Sequence, residues 1–304
     1  MLCRYRAILS VLFLLAVGVG GCASLDEWQR KAIFSPMKGE QRWHREPLAG
    51  TEEFDLALGG HRIRAWYTPA ARTDAPTVLY LHGARWNLNG SVFRIERWVE
   101  MGYNVLAIDY RGFGQSTEIV PSEESVYEDA RVAFEELGRR QPDPARRLLY
   151  GHSLGGAVAL DLATREGMGE RIAAVVVEST FTSMPALVKG LRWGWVPGLD
   201  FAITQRFDSL SKIARVDKPL LIIHGTADRL VPESMAEELH AAAGSRVKRL
   251  VKLEGASHSG ASRHPDYARA VRDFLGAGAI TTAPLYFEFP LESPLQQAAA
   301  PALR

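Results

Sequence analysis

The sequence predicts an α/β fold: one mostly parallel central sheet with an antiparallel N-terminal hairpin and helices on both faces. Three observations carry this. Short β-branched or apolar runs recur at Thr77–Leu81, Asn104–Ile108, Arg147–Tyr150, Ala173–Val177, Leu220–Ile223 and Val247–Leu253, as strands buried on both faces do. Helical-length segments separate most of them, at Ser91–Glu100, Ser122–Leu137, Leu154–Arg165 and Pro232–Ala243. Such alternation gives parallel pairing with right-handed crossovers. Ahead of these, two strand-like runs between Glu53 and Tyr67 flank Gly59-Gly60, a hairpin signal.

The chain opens on a different kind of segment. Arg4 and Arg6 precede an apolar run from Ala7 to Val19, followed by Gly20-Gly21-Cys22-Ala23. A basic start, an apolar core and small residues describe an export signal over residues 1–21. The last residues resemble a bacterial lipobox, which implies that Cys22 becomes a lipidated N-terminus in the cell envelope. Ala23 lacks the aspartate of inner-membrane retention, which favours the outer membrane, periplasmic side. The alternatives are an uncleaved membrane helix, since the run is nearly long enough to span, and ordinary secretion. Cys3 and Cys22 are the only cysteines, so the mature domain has no thiol for a disulfide or metal. Residues 22–50 read as a membrane-proximal segment whose aromatics, Trp28, Phe34 and Trp43, pack on the domain. The main domain spans 51–276, and an Ala/Pro-rich surface tail fills 277–304. A formal net charge of +1 gives no reason to expect nucleic acid as a partner.

Within the domain, Leu148-Leu149-Tyr150 runs into Gly151-His152-Ser153-Leu154-Gly155 and then Gly156-Ala157. Gly-x-Ser-x-Gly between a strand and a helix is the context of a nucleophile elbow. A serine on so tight a turn needs neighbours without bulk, because the helix must pack close to the sheet. The turn aims the Leu154 N–H at the place where an oxyanion would form.

In a parallel sheet, site residues sit on loops at the carboxyl ends of the strands. There the sequence places His82-Gly83-Ala84, Asp109 to Ser116, Glu178, His224 to Asp228, and Glu254 to His258. The order Ser153, Asp228, His258 is that of a nucleophile, an orienting acid and a base. A serine hydroxyl is a poor nucleophile near neutral pH, so His258 takes its proton and later returns one to the leaving group. Asp228 accepts the other ring N–H and fixes the tautomer. Enzymes of this architecture take their second oxyanion donor from the loop after the first parallel strand, which makes the Ala84 N–H the candidate. Glu178 is the rival acid and His264 the rival base, while Asp109, Arg111, His82 and His224 read as structural. His152 packs or lines the site. No histidine pair has metal-ligand spacing and no phosphate cradle follows a strand, so neither metal nor cofactor is expected.

From about Glu53 to Gly276 the chain resembles the α/β-hydrolase superfamily. The resemblance is carried by His82-Gly83, Gly102 to Val105, Asp109 to Gly112, Pro121-Ser122-Glu123, Gly151 to Gly156, Glu178 to Ser183, Arg206-Phe207-Asp208, His224-Gly225, Asp228 and Val231-Pro232. Within it, the chain is similar to membrane-anchored serine hydrolases of the Bem-like, α/β-hydrolase-domain-containing group, serine aminopeptidase-like in description. That implies the α/β-hydrolase fold with a short cap insertion at about 181–216. Two residues depart from the pattern: Ala84 replaces the usual asparagine, and Trp86 stands where a small residue is common and narrows the acyl pocket. Because the oxyanion donor is a backbone group, Ala84 still serves.

The expected activity is hydrolysis of acyl esters or thioesters, on a small-molecule or lipid acyl substrate, through an acyl-enzyme. An aminopeptidase-like peptidase or a lipase on the same three residues, or a catalytically silent envelope binding module, are the alternatives. Oligomeric state is not readable from the sequence.

Overall fold

The computed structural model describes residues 24–36, 43–190 and 197–276. The export segment with Cys22, the tryptophans Trp193 and Trp195, and the 277–304 tail lie outside the described residues. The described residues open with a helix over residues 24–34 (α1), then the hairpin β1 (Glu52–Leu58) and β2 (His61–Thr68). There follow β3 (Thr77–Leu81), α2 (Leu88–Glu100), β4 (Asn104–Ile108), α3 (Glu123–Arg140), β5 (Arg147–His152), α4 (Leu154–Thr164) and β6 (Ala174–Glu178). Three short helices come next: α5 (Met184–Lys189), α6 (Leu199–Ala202) and α7 (Ser209–Ile213). The chain closes with β7 (Leu220–Gly225), α8 (Glu233–Ala242), β8 (Lys248–Leu253) and α9 (Tyr267–Phe274).

The eight strands form one sheet in the order β1-β2-β4-β3-β5-β6-β7-β8. β1 pairs antiparallel with β2, and β2 antiparallel with β4; every later pairing is parallel. Successive strand residues point to opposite faces, and the core divides accordingly. Leu79, Leu81, Leu106, Leu149, Val175 and Ile222 pack under α3, α4 and α8. Val78, Tyr80, Val105, Tyr150, Val176 and Ile223 pack under α2 and α9. Both faces are covered over β3 to β7, whose residues are buried throughout, which is why those strands read as apolar runs.

Two features differ from the sequence reading. α2 begins three residues before Ser91, because the Asn87 side chain accepts the Gly90 N–H at 2.8 Å and caps the helix there. The membrane-proximal aromatics do not share one fate. Phe34 is fully buried between Phe113 and Phe207, with ring centroids 6.4 and 5.9 Å away, and Trp43 packs on Trp86 at 5.6 Å. Trp28 is exposed, contrary to the expectation that it packs on the domain. It sits on the outward side of α1, whose inward side is held by polar side chains.

Candidate active site

Ser153 sits between β5 and α4 with φ 54° and ψ −118°, a backbone conformation few side chains adopt. What holds it there is close packing on either side. A Cβ at Gly155 would collide with the carbonyl of Leu81, and one at Gly151 with the carbonyl of Gly155. The Ser153 N–H donates to the Glu178 carbonyl at 2.8 Å, and the Thr180 hydroxyl donates to the Ser153 carbonyl at 2.9 Å. Serine at a helix N-cap usually accepts a backbone N–H. Here Ser153 makes no such cap bond, and its Oγ lies 3.1 Å from His258 Nε2.

His258 arrives on the loop after β8, and its Nδ1 is 2.8 Å from Asp228 Oδ2. With Asp228 taking the Nδ1–H, Nε2 is left as an acceptor for the Ser153 hydroxyl. Asp228 is itself fixed: Oδ1 accepts the N–H groups of Leu230 and Val231, both at 2.9 Å. Burial opposes its charge, but the His258 bond and those backbone donors outweigh it and hold the carboxyl below its ordinary value. The structure thus brings Ser153, His258 and Asp228 into one hydrogen-bonded line.

The two expected oxyanion donors also border the site, since Ala84 and Leu154 line the same cavity as Ser153 and His258. Leu154 opens α4, so its N–H is among the first-turn donors that have no carbonyl partner within the helix. Arg85, next to Ala84, has φ 69°, and its N–H donates to the Phe34 carbonyl at 3.0 Å. That bond braces the loop that carries Ala84.

The other polar residues at the strand ends do not converge on Ser153. Glu178 turns into the protein, where Arg94 lies 3.3 Å away, both side chains fully buried, and Tyr150 donates to its other oxygen. Asp109 accepts the Leu88 N–H at 2.8 Å, and Arg111 is held by Asp129 and Glu128; burial pushes the Asp129 carboxyl up to about 6. His224 binds the Val231 carbonyl at 3.0 Å, and His264 accepts the Asp266 N–H at 3.2 Å.

His152 packs beside this hydrogen-bonded line. Its Nε2–H donates to the backbone carbonyl of His258 at 3.0 Å, which steadies the loop bearing that ring. Burial first, then the charge of Arg94, hold His152 well below its ordinary value, so it stays neutral.

The cavity over Ser153 measures about 510 Å³. Its walls are mainly apolar: Phe181, Met184, Leu187 and Val188 from the stretch after β6, Leu230 from the loop after β7, and Trp43 with Trp86. Trp86 stands in the wall, as its bulk implied. Ala32 and Ile33 of α1 complete the wall, a contribution the sequence reading missed. The signal was present as apolar residues at helical spacing, Leu25, Trp28, Ala32 and Ile33, but nothing local showed where that helix docks. No acidic side chain lines the cavity among the described residues. Nor, among them, is any group of three His, Cys, Asp or Glu placed to hold a metal ion.

The chain is similar to known proteins. The family model described as serine aminopeptidase, S33, matches residues 73–198 and 185–261. An uncharacterised protein of Mycobacterium tuberculosis is 35% identical over 263 residues, covering 84% of this chain and 89% of its own. Among solved structures, an esterase of Pyrococcus furiosus, Pf2001, superposes with TM-score 0.60 at 19% identity, over 79% of this chain and 97% of its own. A bacterial membrane phospholipase A does so with TM-score 0.58 at 20% identity, over 91% of this chain and 99% of its own. With its eight-stranded sheet, its Gly-x-Ser-x-Gly turn and a family match that runs from β3 past His258, the chain belongs to the serine aminopeptidase S33 family of α/β-hydrolases.

Proposed function

We propose that the protein is a serine hydrolase that cleaves acyl ester or thioester bonds through an acyl-enzyme. The observation that carries this is the line Ser153–His258–Asp228, at 3.1 and 2.8 Å, on the floor of an apolar cavity. Ser153 Oγ attacks the carbonyl carbon while its proton passes to His258 Nε2. The developing oxyanion accepts the N–H groups of Leu154 and Ala84, and Asp228 stabilises the imidazolium. His258 then protonates the departing alkoxide or thiolate. Water, deprotonated by the same nitrogen, attacks the acyl carbonyl and releases the acid and Ser153.

An ester is favoured over a peptide by the cavity wall. An aminopeptidase must hold a charged N-terminal amine, for which a carboxylate is the natural partner, and none lines the cavity among the described residues. A neutral acyl chain fits apolar walls of this kind. The test is a fluorophosphonate probe together with turnover of unactivated esters and unblocked peptides. Ser153 should label, and Ser153→Ala should lose both labelling and turnover. Equal labelling of the alanine variant sinks the nucleophile, and release of N-terminal residues without ester turnover gives the site to a peptidase.

We also place the enzyme in a bacterial envelope, held by a lipid on Cys22, on the strength of the residues that precede α1. Growth with labelled fatty acid should mark the wild type and leave Cys22→Ser unmarked. Label on neither protein would favour an uncleaved N-terminal anchor.

A further inference from the structure

Over its first two turns helix α1 sets three polar side chains against the protein and turns two large apolar ones outward. A surface helix normally turns its apolar stripe to the core and its polar face to water. Here Asp26, Gln29 and Arg30 grip the protein, while Glu27 and Lys31 pair with each other at the surface. The Gln29 amide donates to the Ala202 carbonyl at 2.8 Å and accepts the Thr204 N–H at 3.0 Å. Asp26 accepts from the Thr204 hydroxyl at 2.6 Å and from the Gln205 amide at 3.0 Å, and Arg30 donates to the Val120 carbonyl at 2.8 Å. The apolar residues face outward: Leu25 is 45% exposed and Trp28 67%.

The outward stripe leads to the cavity. Leu25, Trp28 and Ala32 stand at i, i+3 and i+7, on one side of the helix, and Ala32 lines the cavity over Ser153. Leu230, 46% exposed, lines it from another element. Beside α1, and fixed to it through the Gln29 bonds at Ala202, α6 holds out Phe201 at 88% exposure. Leu25 and Trp28 thus share a helix face with the cavity-lining Ala32, Leu230 lines the cavity itself, and Phe201 stands on the helix bonded to α1, a grouping of exposed apolar side chains that marks an interaction surface.

We propose that α1 and α6 form a bilayer-docking surface that sets the cavity mouth against lipid, so that the acyl substrate enters from the membrane. The chain itself selects this occupant. The apolar run Ala7–Val19 and Cys22 lie directly before α1. At no more than about 3.6 Å per residue, Leu25 is within about 11 Å of Cys22 and about 22 Å of Val19. Whichever of these is the anchor, the patch cannot leave the bilayer surface by much. Outward tryptophan and phenylalanine beside an anchor suit the interface, where aromatic and aliphatic side chains enter the acyl boundary. The proposal rests on the membrane attachment proposed above, and its test reads the two separately.

The full chain is reconstituted in phosphatidylcholine vesicles with plain or brominated acyl chains. Flotation reads attachment; quenching of tryptophan by the brominated chains reads docking. Wild type, Trp28→Phe and Phe201→Trp should float alike, with quenching reduced in the first variant and increased in the second. Replacing Leu25, Trp28 and Phe201 together by serine should slow hydrolysis of a long-chain ester dissolved in the bilayer by at least about tenfold. A water-soluble short-chain ester should turn over at the wild-type rate. A chain that floats with quenching unchanged in Trp28→Phe overturns the docking surface while leaving attachment intact. A chain that does not float overturns both. Concentration-dependent shielding of Trp28 in the absence of vesicles would assign the patch to a second copy of the chain and likewise overturn the proposal.

Discussion

Two carboxylates compete for the role of orienting acid, and their surroundings separate them. Asp228 faces His258 Nδ1 at 2.8 Å and is kept charged by two backbone donors. Glu178 ends β6 one register step from Ser153, yet it is paired with Arg94, both side chains fully buried. The two substitutions should therefore fail differently. Asp228→Asn should lower kcat by roughly 10⁴ while leaving the melting temperature near that of wild type, because it presents the wrong hydrogen to His258. Glu178→Gln leaves the buried Arg94 guanidinium without a counter-charge and should cost about 3–5 kcal/mol of stability. Steady-state kinetics and thermal melts on both variants check this, and loss of turnover in a well-folded Glu178→Gln would return the acid to β6. Position along the chain left Glu178 as a rival, since both carboxylates stand at the carboxyl ends of strands. Arg94 decides it, and Arg94 is 84 residues away along the chain.

At the scale of the element, the β5–turn–α4 unit was the most legible part of the chain. Gly151 and Gly155 are demanded by backbone atoms of the unit itself and of the neighbouring β3 strand, so the demand shows in local sequence. Gly155→Ala should cost about 3 kcal/mol, the upper end for overpacking, because the methyl meets the rigid Leu81 carbonyl and no side chain that can swing away. Denaturant unfolding measures it; a loss below about 0.5 kcal/mol would mean that β3 and α4 are less tightly coupled than the structure has them. Strand existence was equally legible, because burial on both faces leaves an unbroken apolar run. Strand order was not. Nothing in β2 itself says that it pairs with β4 across Ala65–Ile108 and not with β3, its neighbour in sequence.

At the scale of the whole molecule, the legible part was the set of loops that meet above the sheet. Ser153, Asp228 and His258 could be gathered from their places after β5, β7 and β8, since a parallel sheet brings those ends together. The wall above them was not legible. It is closed by α1, whose docking depends on Gln29 reaching a backbone carbonyl 173 residues later. A boundary drawn at residue 51, where the sheet begins, therefore runs through the enzyme and not beside it.

That placement of Phe34 has a practical consequence for anyone trimming the gene. A protein started at residue 51 keeps every strand and all three residues of the reacting line, so it should fold and pass as intact by circular dichroism. It would also lack Ile33 from the wall, leave a ring-sized hole between Phe113 and Phe207, and release the Arg85 N–H that Phe34 holds at 3.0 Å. Chain-length profiles should expose the loss: the trimmed enzyme accepts a broader range of acyl groups at lower kcat, because Ala84 is no longer held in place. Matching profiles for the trimmed and full chains would show that the wall is dispensable. Short of that result, a substrate screen on the convenient fragment would describe a catalyst the cell never makes.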